Sequence, residues 1–291
     1  MNPYGLSIGF GLVTASILAI AAVGLTLQFG VTNYVNFAYG DFMSLGAYLT
    51  FELNTAAHMS VWFAMAISAV AMGFVGVATD RWLLSPFARR FSNLFYVLIV
   101  TFGLSLIMLN LISAIWSPNF QQLPTATENP LHIGPFLLTP SQVAIFGVGV
   151  ALMFAVHFLL TRTKLGKAMR AMSDNASLAM VSGIDTRLVT SITWWITGAL
   201  SGVAGSVLAI DLGTITPAVG ETFLFVIFAA VILGGIGKPY GAMLGALVIG
   251  LATEVSAVII NSAYKLDVAF VILILVLLLR PQGIVASAGK A

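Results

Sequence analysis

Residues Gly5 to Phe29 read Gly-Leu-Ser-Ile-Gly-Phe-Gly-Leu-Val-Thr-Ala-Ser-Ile-Leu-Ala-Ile-Ala-Ala-Val-Gly-Leu-Thr-Leu-Gln-Phe, without one charged side chain. A helix crossing a membrane needs about 20 mostly apolar residues, because each rises about 1.5 Å through a hydrocarbon core about 30 Å thick. This run meets that length. It has no basic segment before it and is too long for the apolar part of a signal peptide, so it is expected to stay as a first membrane helix. The rest of the chain repeats the pattern. Val61–Thr79, Leu94–Trp116, Val143–Leu160, Val189–Ile210, Ala242–Ile260 and Val268–Leu279 are further apolar runs. Two more, Val35–Leu53 and Phe223–Gly235, are short or polar at their start. The expectation is an all-α polytopic transmembrane bundle of eight or nine segments, with those two as candidates for broken or re-entrant elements.

Composition leads to the same class. Of 291 residues 59% are hydrophobic and 8% charged, against about 45–50% and about 25% in soluble domains. Disorder requires the opposite balance, and without cysteine there is no disulfide framework. A net charge of +2 gives no electrostatic footprint for nucleic acid. No linker interrupts residues 1–291, which read as a single membrane domain.

The placement of the basic residues predicts orientation. Nine alternating spans with the N-terminus outside put Arg81, Arg89, Arg90, Arg162, Lys164, Lys167, Arg170, Arg187, Lys238, Arg280 and Lys290 in the cytoplasm. Lys265 alone falls outside, so eleven of the twelve Lys and Arg lie on one side. The longest outer loop, Ser117 to Ser141, carries Pro118, Pro124, Pro130, Pro135 and Pro140 and reads as an extended cap.

Motifs for chemistry are missing. Gly234-Gly235-Ile236-Gly237-Lys238-Pro239 is the nearest approach to a P-loop, but its spacing is wrong and proline stands where a hydroxyl must hold magnesium. His58, His132 and His157 are scattered, and no metal-ligand spacing occurs. The chain is expected to be no enzyme and to hold no cofactor or metal. Gly5/Gly9, Gly198/Gly202 and Gly241/Gly245 are small-residue pairs that let helices approach closely, within this chain or against a second subunit.

Asn33-Tyr34-Val35-Asn36-Phe37-Ala38-Tyr39-Gly40-Asp41-Phe42 is the most unusual feature of the first half, a polar run inside an apolar segment. A carboxylate there is costly unless paired or wetted, which marks Asp41, with Asn33 and Asn36, as a candidate substrate pathway. Asp41 as the N-cap of the following helix is the other reading, and the residues leave both open. Ala218-Val219-Gly220-Glu221 echoes Ala38-Tyr39-Gly40-Asp41. Transporters are often built from two repeats, but four similar residues are too few to establish one; Glu221 joins the candidate set on this echo.

In the inward loop, Leu165, Ala168, Met169 and Met172 recur at helical spacing. Ser173, Asp174 and Asn175 are capping types and Gly183 suits a helix C-terminus, so two short helices are expected. Their apolar face either lies on lipid headgroups or enters a groove on a cytoplasmic partner.

Three stretches resemble the permeases of ATP-binding-cassette importers for branched-chain amino acids, specifically the shorter of the two permease subunits. They are Gly24–Leu27 through Asn36–Phe42 with Leu45–Tyr48; Leu165–Ala171 through Gly183–Ile184; and Leu233–Gly237 through Pro239–Ala242 with Gly245. They span nearly the whole chain in the family's order, and Tyr39 stands where many members carry histidine. The resemblance implies a second related permease, two ATPase subunits, a periplasmic binding protein, and ATP acting only on those partners. It implies an inner-membrane location and alternating access, with residues 162–188 as the loop that couples to the ATPase, Leu165, Gly166, Ala168, Met169, Arg170, Ala171 and Gly183 among them. Substrate would pass between the two permeases. Related permeases carry urea or short amides, and a stand-alone channel or ion-coupled carrier is the competing class.

Overall fold

The computed structural model describes residues 3–90, 94–124, 128–134, 136–279 and 283–284. Arg280, Lys290 and Pro135 lie outside the described residues. In chain order the elements are α1 (Pro3–Thr32), α2 (Tyr39–Thr55), α3 (Val61–Thr79), a π turn at Asp80–Leu84, α4 (Ser85–Arg90) and α5 (Leu94–Trp116). Short strands β1 (Gln121–Gln122), β2 (Leu131–Ile133) and β3 (Phe136–Leu138) follow. Then come α6 (Pro140–Arg162), α7 (Lys164–Val181), α8 (Thr186–Leu212), β4 (Thr214–Ile215), α9 (Val219–Gly234), α10 (Pro239–Ile259) and α11 (Lys265–Leu279).

Seven helical stretches among the described residues are long and apolar enough to cross a membrane, those built on α1, α3, α5, α6, α8, α10 and α11. The protein is a polytopic helical bundle. Helices α2 and α9, the two doubtful segments of the sequence, have 17 and 16 residues. At about 1.5 Å per residue they reach about 26 and about 24 Å, short of a core about 30 Å thick. Between α5 and α6, β2 pairs with β3, and β1 pairs antiparallel with β4. Phe95, Ile99, Phe102 and Ile107 on α5, Phe154 and Phe158 on α6, and Leu278 and Leu279 on α11 are exposed. Lipid is the solvent for such faces, which is why they need no polar cover.

By its contacts the chain divides into two compact units, Met1–Thr26 with Ala126–Ala155 and Phe225–Ala291, and Leu27–Thr125 with Val156–Leu224. In the first, close backbone approach does the packing: Gly250 of α10 lies on Ala15 of α1, Gly241 on Gly234, and Gly245 on Ala230. Thr14 donates a hydrogen bond to Glu254 (3.2 Å), whose other oxygen accepts from Lys265 at 2.7 Å. Ser141 gives its O–H and its backbone N–H to Glu128 (2.6 and 2.8 Å), which holds that carboxyl below the usual carboxylate range.

The second unit is built on α2, α3 and α8. Gly198 and Gly202 of α8 face Met72, Gly73 and Ala69 of α3, and Gly46 of α2 lies on Gly202. Without a hydrophobic drive between helices in lipid, such contacts and interhelical hydrogen bonds supply the association. Ser68 donates to the Gly46 carbonyl (2.8 Å), and the hydroxyls of Thr50 and Ser206 share a bond of 2.7 Å. Phe42, Met72, Leu84 and Trp194 fill the core beside them.

Candidate functional site

The polar run starts where α1 stops. Asn33 takes φ 59°, its N–H bonding to the Phe29 carbonyl at 2.7 Å, and its side chain is exposed. Asparagine tolerates this left-handed conformation better than most residues, so Asn33 ends the helix. Asn36 is buried and makes the next turn: its Oδ1 accepts from the Ala38 N–H (3.1 Å), and its Nδ2 reaches Gln28 Oε1 at 3.5 Å. Both asparagines therefore shape the break between α1 and α2.

The N-cap of α2 is Ala38, which makes no side-chain cap bond. Asp41 sits three residues further on, fully buried in the first helical turn. The N-cap reading of Asp41 is thereby corrected, since its position is inside the helix. A carboxylate in the first turn still gains from the helix dipole.

The echo that was too short to count in the sequence is joined in space. Gly40 and Gly220 lie so close that a Cβ built on either would collide with the carbonyl oxygen of the other. Ser44 of α2 accepts a hydrogen bond from the Gly220 N–H at 2.9 Å. Each helix begins tyrosine or valine, then glycine, then acid, so Asp41 and Glu221 hold the same position in their first turns. Glu221 is half-buried and within electrostatic reach of Asp41.

Register against α8 gives the level of this meeting. Tyr39 and Phe42 lie beside Trp194, Gly198 and Ser201; Gly46 lies on Gly202 and Thr50 on Ser206. So α2 runs parallel to α8, and its start is level with Trp194, two turns or about 12 Å along α8. From the far end of α8 the chain returns through Gly213–Ala218 to place Gly220 beside Gly40. Both short helices thus begin inside the thickness of the bundle, with irregular backbone leading to each. At membrane depth such backbone is tolerated only where protein or a watered cavity surrounds it.

At the opposite end of this unit lies the loop around α7. It is two short helices, broken at Asn175 (φ −160°, ψ 103°), whose side chain caps the second by accepting from the Leu178 N–H at 2.9 Å. The second ends on Gly183 at φ +87°, with Gly183 N–H bonded to Met180 O and Ile184 N–H to Ala179 O, both 3.1 Å. The apolar face of the first helix does not look outward. Gly166, Met169 and Met172 are buried in the chain, Leu165, Ala168 and Ala171 are partly covered, and Arg170 is exposed. The methionines of that face thus already have a core within this chain, while Leu165, Ala168 and Ala171 stay partly open. The free apolar surface lies further on, where Leu178, Met180 and Val181 are 63%, 60% and 83% exposed. Beside it opens a cleft of about 820 Å³, bounded by Asp80, Arg81 and Pro86 on one wall and Met180, Arg187 and Leu188 on the other. Sequence reasoning missed both Ser44 and this exposed patch; Leu178 and Val181 were visible as apolar residues in a basic loop, but not which way they point.

This is the architecture of a membrane permease, and the comparisons with known proteins place it. Residues 7–277 match the family described as branched-chain amino acid transport system / permease component, and the chain belongs to that family. It is similar to the high-affinity branched-chain amino acid transport system permease protein BraD of Pseudomonas aeruginosa, 31% identical over 94% of this chain and 93% of that one. It is similar also to the corresponding protein LivH of Escherichia coli, 32% identical over 94% and 92%. The permease LivM of that organism is 26% identical, covering 92% of this chain and 67% of LivM. Among solved structures, PsaBC from Streptococcus pneumoniae in complex with Fab covers 94% of this chain and 91% of its own at a TM-score of 0.53. At 12% identity that likeness concerns the fold alone. The family is one of permeases rather than enzymes, and the protein is a multi-pass protein of the plasma membrane.

Proposed function

We propose that this chain is the shorter permease of an ATP-driven, binding-protein-dependent importer of branched-chain amino acids, acting by alternating access. The observation that carries it is the exposed Leu178–Met180–Val181 patch beside the Asp80–Leu188 cleft, in a chain with no P-loop of its own. An apolar patch rimmed by Arg81, Arg187 and Asp185 suits a protein partner better than bulk water. Two ATPase subunits dock there, on a loop spanning residues 162–188 whose inner helix is anchored through Met169 and Met172. ATP works on those partners, so this chain needs no cofactor. A second permease, of the LivM kind, completes the pore, and a binding protein delivers substrate at the end where β1 and β4 pair.

The N-terminus lies outside and the C-terminus in the cytoplasm. Substrate passes by the polar break, where Asp41 and Glu221 sit near one another at two helix starts. Reconstitution in liposomes with the second permease, the ATPases and the binding protein tests the reading. Leucine uptake that needs ATP is expected, and uptake by this chain alone without ATP overturns it.

A further inference from the structure

One cleft in the second unit serves neither packing nor the coupling surface. It lies between α1, α2, α3 and α8, bounded by Gln28, Tyr39, Gly76, Thr197, Gly198 and Ser201, and is too small in this conformation to admit a water molecule. Phe42 and Trp194 also line it, and Gln28, Tyr39, Thr197 and Ser201 bring polar side chains to it. Gln28, Tyr39 and Trp194 are each 1% exposed, and Gln28 Nε2, the Tyr39 hydroxyl and Trp194 Nε1 have no hydrogen-bond partner among the described residues. An unmade hydrogen bond in a buried site costs more than a made one gains, and the surrounding lipid has nothing to offer instead. Leucine for glutamine and phenylalanine for tyrosine would avoid that cost at similar size. Three orphaned groups on one cleft are accounted for by a second conformation in which they are satisfied.

Their chemistry specifies the ligand. All three orphans can donate. The Gln28 carbonyl oxygen already accepts from Asn36, while Thr197 and Ser201 spend their hydroxyl protons on carbonyls of their own helix. What is left unpaired is donor, and Tyr39 is the first residue of α2, whose positive dipole end reinforces the preference for negative charge. We propose that this cleft opens during transport and takes the carboxylate of the passing amino acid between Gln28 Nε2 and the Tyr39 hydroxyl. The site lies inside this subunit rather than between permeases. It rests on the importer reading for its substrate and for the energy that opens it.

The test is uptake by the reconstituted importer carrying Tyr39→Phe or Gln28→Leu, with Tyr48→Phe as comparison. Tyr48 also buries an unpartnered hydroxyl, but away from the cleft. At leucine concentrations below saturation, uptake by the two cleft variants should fall about tenfold, the equivalent of one hydrogen bond. Their melting temperatures should not fall, because an unsatisfied polar atom has been removed, and Tyr48→Phe should transport like the parent. Wild-type uptake in both cleft variants overturns the proposal. So does a loss that follows a drop in melting temperature, or one shared by Tyr48→Phe. If the parent chain takes up leucine without ATP, the importer reading fails; the Tyr39→Phe deficit would still report on the cleft.

Discussion

At Gly40 and Gly220 one added carbon decides whether two helices can start where they do. Each Cα faces the other's carbonyl oxygen at backbone contact distance, with nothing flexible between. Gly40→Ala or Gly220→Ala must push α2 and the start of α9 apart and strain the Ser44–Gly220 bond. Overpacking of this kind costs about 1–3 kcal/mol, so either variant should melt several degrees lower in detergent and yield less inserted protein. A melting temperature equal to the parent's would contradict the contact. Asp41 tests function at the same place. Asp41→Asn keeps the size and removes the ionisable carboxyl, and since Asp41 is no N-cap, the change costs no capping bond. Expression should be normal and uptake reduced several-fold; normal uptake would take Asp41 off the pathway. From sequence, Asp41 was legible as an anomaly because a carboxylate among apolar residues needs a reason. Its pairing with Glu221 was not legible, because 180 positions of chain separate two four-residue motifs and only the fold brings them together.

Among the elements, the loop around α7 separates what periodicity can show from what it cannot. The break at Asn175 and the stop at Gly183 follow from side chains that cap locally, so sequence sufficed for the two short helices. An apolar stripe, by contrast, says that one face will be covered, not by what. Met169 and Met172 are covered by this chain, which leaves Leu178, Met180 and Val181 as the open apolar surface on which the proposed ATPase would dock. Val181→Glu should therefore release the ATPase on co-purification, because burying an unpaired charge at an interface costs several kcal/mol. On the lipid-surface reading, the same variant would keep its ATPase and lose only some headgroup contact. Gly183→Val should act through the backbone, since φ +87° is closed to β-branched residues and unwinds the end that presents Val181. No Cβ clash awaits at Gly183, so any loss of ATPase there reports on conformation alone.

For the molecule as a whole, sidedness combines two independent arguments. Charge counting puts eleven of twelve basic residues on one face. It depends on every segment crossing, and the short α2 and α9 are where parity could fail. Contacts within the second unit do not depend on parity. Arg81 and Arg187 bound one cleft, so the loop after α3 and the loop before α8 share a side. The pairing of β1 with β4 fixes the loop after α5 and the loop after α8 together at the other end. Reporters after Arg90 and within Lys164–Asp185 must then agree with one another, and one at Gln121–Glu128 must oppose them. The basic excess selects cytoplasmic for the first two, because Lys and Arg in short loops resist translocation. Disagreement between the first two would break the shared cleft and the coupling surface with it. All three readings inverted would leave the fold intact and turn the Leu178–Val181 patch to the outside, where no ATPase could reach it.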